Sequence, residues 1–218
     1  MIEVKGINKS FGTISVLKDV ELQVKKSEIL GITGASGAGK TTLLQIMGTL
    51  LKPDSGEVRM NGSSVFKMKE KEISKFRNNH IGFVFQFHHL LPEFNCFENV
   101  CIPAYIGKRN RSEIESRAIE LLSFLKMDHR LNHKPSELSG GELQRIAIAR
   151  ALINNPMVVF ADEPSGNLDQ DNTEELHRLI LDLRNKYKQT FIIVSHDRQL
   201  SSKCDRSIHL VDGKIEKQ

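Results

Sequence analysis

Nowhere in the 218 residues does an apolar run reach the roughly 18 to 20 positions needed to cross a bilayer. Glu3, Lys5 and Lys9 stand where an export signal would carry its apolar segment, so none is expected. Only three cysteines occur, Cys96, Cys101 and Cys204. They are too few and too irregularly spaced for a disulfide framework or a CxxC zinc site, and read as reduced thiols in the cytosol. Internal repeats, low-complexity tracts and long linkers are also missing. What is there is ordinary for a globular chain, 39% hydrophobic and 27% charged residues with 6% aromatics. The length suits one large domain or a core with an added subdomain. The net charge of +4 is a mild excess whose basic residues are interleaved with acidic ones, so it does not by itself argue for nucleic acid.

Apolar β-branched runs alternate with helical patterns, which predicts an α/β fold around a largely parallel sheet. Strands are expected at 2–5, 20–24, 28–33, 58–60, 81–85, 158–161 and 190–194, and helices at 41–48, 141–152 and 173–186. Asn61-Gly62 and Asp212-Gly213 supply the positive φ angles of tight turns, the second closing a terminal hairpin. Between about 98 and 135, Ile114, Ala118, Leu121, Leu122 and Leu125 recur at helical spacing, which reads as a helical insertion carried on the core.

Gly34-Ala35-Ser36-Gly37-Ala38-Gly39-Lys40-Thr41 fits G-x-x-x-x-G-K-[ST] without mismatch and lies between a predicted strand and a predicted helix. Glycines there let successive backbone N–H groups curl around phosphate oxygens, and the helix offers its positive end to the same anion. Lys40 would reach the β- and γ-phosphates, the Thr41 hydroxyl would ligate Mg²⁺, and Thr42 continues the site into the helix. Val158 to Ala161 is an apolar strand that ejects Asp162 and Glu163. Asp162 suits the hydration shell of Mg²⁺, and Glu163 could polarise a water for attack on the γ-phosphate. Taken alone, Glu163 could equally be a solvated acidic turn before Pro164; beside a phosphate loop the catalytic reading is favoured. Ser139-Gly140-Gly141-Glu142 opens a helix with a capping box and free N–H groups, a second anion site without its own lysine; taken alone, a merely capped helix is the plainer reading.

Together these motifs resemble the nucleotide-binding subunit of ATP-binding-cassette (ABC) transporters over essentially the whole chain. The resemblance implies a P-loop NTPase core with an antiparallel β subdomain and a helical subdomain. The core would take residues 1–86 and 156–218, and about 87–155 would hold the Gln loop, the helical subdomain and the signature helix. It implies two ATP molecules sandwiched in a homodimer, each between the phosphate loop of one subunit and Leu138-Ser139-Gly140-Gly141-Glu142 of the other. By the same resemblance Gln86 touches Mg²⁺ and leads to the membrane partner's docking site. Asp169, in Gly166-Asn167-Leu168-Asp169, crosses the dimer interface, and His196 is the switch histidine at the γ-phosphate. Phe11 stands where an aromatic, most often Tyr, stacks on adenine, and Ser165 replaces a usual Thr.

The stretch QFHHLLPEF, together with Asp128-His129-Arg130 and Asn132-His133-Lys134-Pro135-Ser136-Glu137, is similar to the ATPases of bacterial lipoprotein-releasing systems. That implies a peripheral homodimer on the cytoplasmic face of the inner membrane, beneath two integral-membrane subunits that dock near residues 86–97, with no direct lipid contact. Related macrolide-export and cell-division ATPases share GNLD and remain the alternative. A soluble repair or translation ATPase usually carries two cassettes or a coiled-coil insertion, and a small P-loop kinase has no use for LSGGE. Leu90 and Leu91 are expected to line the docking groove, with about half of Phe87, Leu90, Leu91, Phe94 and Phe97 in the core. His129 and His133, like His88 and His89, read as solvent or interface histidines. The basic run Lys67, Lys69, Lys71, Lys75 and Arg77, broken by Glu70 and Glu72, reads as a solvated helix face.

Overall fold

The structure, a computed structural model, describes residues 1–196 and 198–216. Two sheets share it. Strands β1 (Ile2–Phe11), β2 (Ile14–Val24), β4 (Ser55–Met60) and β5 (Ser63–Ser64) form an antiparallel sheet in the order β2-β1-β4-β5. The second sheet contains β3 (Ile29–Thr33), β6 (Ile81–Phe85), β7 (Val158–Asp162), β8 (Phe191–Val194), β9 (Arg206–Val211) and β10 (Lys214–Ile215). Its order is β10-β9-β3-β8-β7-β6, parallel throughout except for the β9–β10 hairpin.

Side-chain alternation splits the parallel strands between two cores. Val158, Phe160, Ile192 and Val194 face one core, which they share with the antiparallel sheet and helix α1 (Lys40–Met47). Val159, Ala161, Phe191 and Ile193 face the other, built with helices from the rest of the chain. Strands covered on both faces in this way read as unbroken apolar runs, which is why Val-Val-Phe-Ala carries no polar residue.

Helix α2 (Glu70–His80) carries Lys71, Lys75 and Arg77 of the basic run and has no buried residue, while Lys67 and Lys69 precede it. The helical insertion between β6 and β7 holds α3 (Cys96–Ile106), α4 (Arg111–Phe124) and α5 (Gly140–Leu152). Each begins on a side-chain cap: Asn95, Asn110 and Ser139. Cys96 and Cys101 are packing residues inside α3, and burial pushes each thiol up to about 11. Helices α6 (Gln170–Tyr187) and α7 (Arg198–Lys203) complete the chain. The turn at Asn61-Gly62 has φ of 47° and 82°, and that at Asp212-Gly213 has 46° and 81°, as the dipeptides predict.

The first hairpin is much longer than predicted. Its register shifts between Val4 and Ile7, Ile7 and Lys9, and Lys9 and Ser10, and Gly6 sits at φ 59°. These bulges break the period of two on which the sequence reading depends.

Candidate active site

The carboxyl ends of the parallel strands deliver the site. Asp162 pairs in register with Phe85 on one side and Val194 on the other, and Val194 pairs with Ile32. Gln86, Asp162 and Glu163, Ser195 and His196, and the loop after Thr33 therefore emerge along one edge. Adjacent parallel strands place ligand-binding loops at such an edge.

Gly34, Gly37 and Gly39 have φ of 147°, 79° and 101°. A Cβ on Gly34 would lie 2.3 Å from the Leu210 carbonyl, and one on Gly39 2.9 Å from the Val16 carbonyl, so the curled backbone admits only glycine. Ala35, Ser36 and Gly37 are exposed on the loop, whereas Ala38 is buried beneath it. Gly39 caps α1 with backbone alone, whereas α3, α4, α5 and α6 all receive side-chain caps. Helix α1 thus keeps its first N–H groups for an anion. Lys40 Nζ donates to the carbonyls of Gly34 and Ala35, each at 2.9 Å, which holds a cation against the loop.

Thr41 Oγ1 donates to Asp162 Oδ1 at 3.1 Å, and Thr42 is half-buried beside it. The pair is an oxygen-only donor set of the kind small hard dications take. Burial raises the Asp162 carboxyl above its ordinary range, outweighing the Thr41 hydrogen bond that lowers it; the Glu163 charge raises it further and Lys40 opposes. Glu163 is held at φ 45°, left-handed for a residue with a Cβ, by its N–H on the Val194 carbonyl and by the Gly166 N–H on its own carbonyl. Its Oε2 lies 2.8 Å from His196 Nδ1.

Gln86 and Asn167 bond each other: Gln86 Nε2 to Asn167 Oδ1 at 3.4 Å, and Asn167 Nδ2 to the Gln86 carbonyl at 3.0 Å. A Cβ on Gly166 would come within 2.9 Å of Gln86 Nε2, so the Gln86 side chain would have to shift to admit one. Gly140 and Gly141 lie across the same segment, Gly140 facing Leu168 and Gly141 the Asn172 side chain. Asp169 caps α6 and accepts from both the N–H and the amide of Asn172, which lowers its pKa.

Each motif folds as its residues predict, but within one chain they form two groups. Lys40, Thr41, Asp162, Glu163 and His196 make one. Ser139, Gly140, Gly141 and Glu142 make the other, against residues 166–172. Glu142 is already engaged: it accepts from the Ser139 N–H at 2.8 Å and from Arg130 Nε at 2.9 Å, and these bonds lower its pKa. Phe11 is 51% exposed near the tip of the first hairpin, with Lys9 Nζ 5.5 Å from its ring centre. Asn172, Arg130 and the role of Asn167 as the partner of Gln86 escape sequence reading, since each acts across a fold contact with no spacing rule.

Exposure divides the segment expected to dock: Phe87, Leu91 and Phe94 are exposed, whereas Leu90 and Phe97 pack on the core. A groove of about 470 Å³ does lie beside this segment, but its lining includes Arg77, Phe83, Phe85, His89, Pro103 and Ile106, without Leu90 or Leu91. Leu90 packs on the core and Leu91 is exposed outside the groove, because the peptide groups of Leu91 are wound onto the buried Asn99 side chain.

A family model described as ABC transporter matches residues 17–166. The lipoprotein-releasing system ATP-binding protein LolD of Bacteroides fragilis is 59% identical over 99% of this chain and 100% of its own length. That of Cytophaga hutchinsonii is 54% identical over 99% of this chain and 98% of its own. Among solved structures, a dimeric bacterial ABC transporter cassette superposes with a TM-score of 0.91 at 38% identity, covering 100% of this chain and 97% of that one. A post-hydrolysis dimer of the same cassette bound to ADP and Pi gives 0.90 at the same identity and coverage.

Proposed function

Because the chain belongs to the ABC transporter family and is an ATPase of that family, we propose that it drives a lipoprotein-releasing complex from the cytoplasmic face of the inner membrane. The observation that carries this reading is identity above half over the full length of proteins so named. The QFHHLLPEF stretch supports the same assignment. The chain acts as a homodimer closed by ATP, with the phosphate loop of each subunit facing Ser139 and Gly140 of the other. The split of the motifs into two groups within one chain supports this closure, as does the dimeric form of the cassettes it resembles.

Gly34 to Gly39 and Lys40 bind the phosphates, and Phe11 stacks on adenine. Thr41, Asp162 and Gln86 would hold Mg²⁺, which when bound neutralises charge on the phosphates. Glu163 takes the proton of the attacking water. Both donors of His196 converge on Glu163 Oε2, so Oε1 is the oxygen placed for that water. A carboxylate only accepts, so this contact needs a proton on Nδ1.

The test is purification of the tagged chain from solubilised membranes, followed by reconstitution. Two integral proteins should accompany it, and ATP should release a lipoprotein from proteoliposomes to a soluble carrier. Integral proteins that move a macrolide or act in division would redirect the assignment, and none at all would refute it.

A further inference from the structure

Arg150 stands in the last turn of α5 and reaches off the helix. Its Nη1 donates to the His89 carbonyl and its Nη2 to the His88 carbonyl, both at 2.6 Å. Two donors in one rigid plane on successive carbonyls fix position and direction together, as the point charge of a lysine does not. Burial draws the proton affinity of the guanidinium down and no ion pair offsets it among the described residues, so the two carbonyl dipoles are what balance its charge.

The receiving loop is strained to meet this fork. His89 takes φ 49°, and its ring lies edge-on to Phe85 at 5.4 Å. Left-handed residues with a Cβ persist where the surroundings over-determine them. The loop is pinned on both sides of the fork, by Asn167 at Gln86 and by Asn99 at Leu91. A Cβ on Gly82 would come within 2.5 Å of the Ala151 carbonyl, so the start of β6 also presses on the end of α5. The last turn of α5 therefore grips residues 82–89 at both ends, with Gln86 between. The same helix begins at Ser139 and Gly140, about 15 Å away.

We propose that Arg150 is a positioning residue for ATP hydrolysis. Its fork ties the loop after Gln86, which serves the chain's own nucleotide, to the helix whose first turn serves the partner's. A change at Gln86 is thereby carried along α5, and hydrolysis at the two sites becomes interdependent. This inference rests on the closed dimer proposed above.

The experiment compares the full-length parent with Arg150→Met, which loses both donors, and Arg150→Lys, which keeps charge and reaches one carbonyl. ATPase rate is measured against ATP concentration, ATP affinity under non-hydrolysing conditions, and amide exchange over 86–91. The parent should show a Hill coefficient above unity. Both variants should fall toward unity with kcat down about tenfold, the loss expected of a charge-assisted contact, while intrinsic ATP affinity holds and amide exchange rises. A Hill coefficient and kcat like the parent's in either variant overturn the inference, as does a parent already at unity. If Arg150→Met does not fold, Arg150→Lys decides on the same criteria. A parent that does not hydrolyse ATP refutes the underlying reading instead.

Discussion

Glu163 Oε2 meets both the ring Nδ1 of His196, at 2.8 Å, and its backbone N–H, at 3.3 Å. The two residues come from the ends of adjacent parallel strands, so the sheet register brings them together. The bond fixes which carboxylate oxygen is occupied and which is available. It also ties the residue proposed to activate water to the one proposed to sense the γ-phosphate.

Lys40→Ala should weaken nucleotide binding itself. A charge-assisted contact is worth about 1.5 to 3 kcal/mol, which raises the ATP dissociation constant about ten- to a hundredfold. Titration calorimetry checks it, and parent-like affinity would remove Lys40 from the phosphates.

Asp162→Asn should stabilise the nucleotide-free chain at neutral pH. A carboxyl whose pKa is raised on folding contributes stability that is fully present below the unfolded value, about 3.9, and lost as pH rises through the folded one. The melting temperature of the variant should exceed the parent's at pH 7, the gap closing toward pH 4 as Asp162 protonates in both states. The stabilisation of the variant by ATP with Mg²⁺ should shrink. A gap independent of pH would contradict the burial argument.

Phe11→Ala should raise the ATP dissociation constant by up to about tenfold, since an aromatic stack is worth about 0.5 to 1.5 kcal/mol. Stability should change little because Phe11 is half exposed. Discrimination against GTP should be weak in both proteins, as stacking reads a π-face. Unchanged affinity would place adenine elsewhere.

Ile106 is 70% exposed and lines the groove beside Phe83 and Phe85. Ile106→Glu should abolish capture of the membrane subunits while basal ATPase and folding are kept, since exposed substitutions cost within about 0.5 kcal/mol. Leu91→Glu, outside the groove, should still assemble. The paired measurement is pull-down beside ATPase, and assembly by Ile106→Glu would move the docking surface.

The phosphate loop, the Asp162–Glu163 pair and the α5 cap were legible because each is a local device, a turn, a strand end or a capping box whose residues lie within a few positions. The parallel core was legible from its fully apolar strands. Bulges hid the length of the first hairpin, and the six residues of α7 are too few for a helical period to show. The grip of Arg150 on His88 and His89 spans about sixty residues of sequence. The exposure of Leu91 likewise depends on its backbone bonds to Asn99, set by packing and invisible to spacing.

Glu163→Gln tests the account most directly. The substitution keeps shape and removes the base, so hydrolysis should fall by about 10² to 10⁴ while ATP still binds. In size-exclusion with light scattering, ATP and Mg²⁺ should convert the variant from monomer to a stable dimer. ATPase activity near the parent's, or a variant that stays monomeric when saturated with ATP, would contradict it.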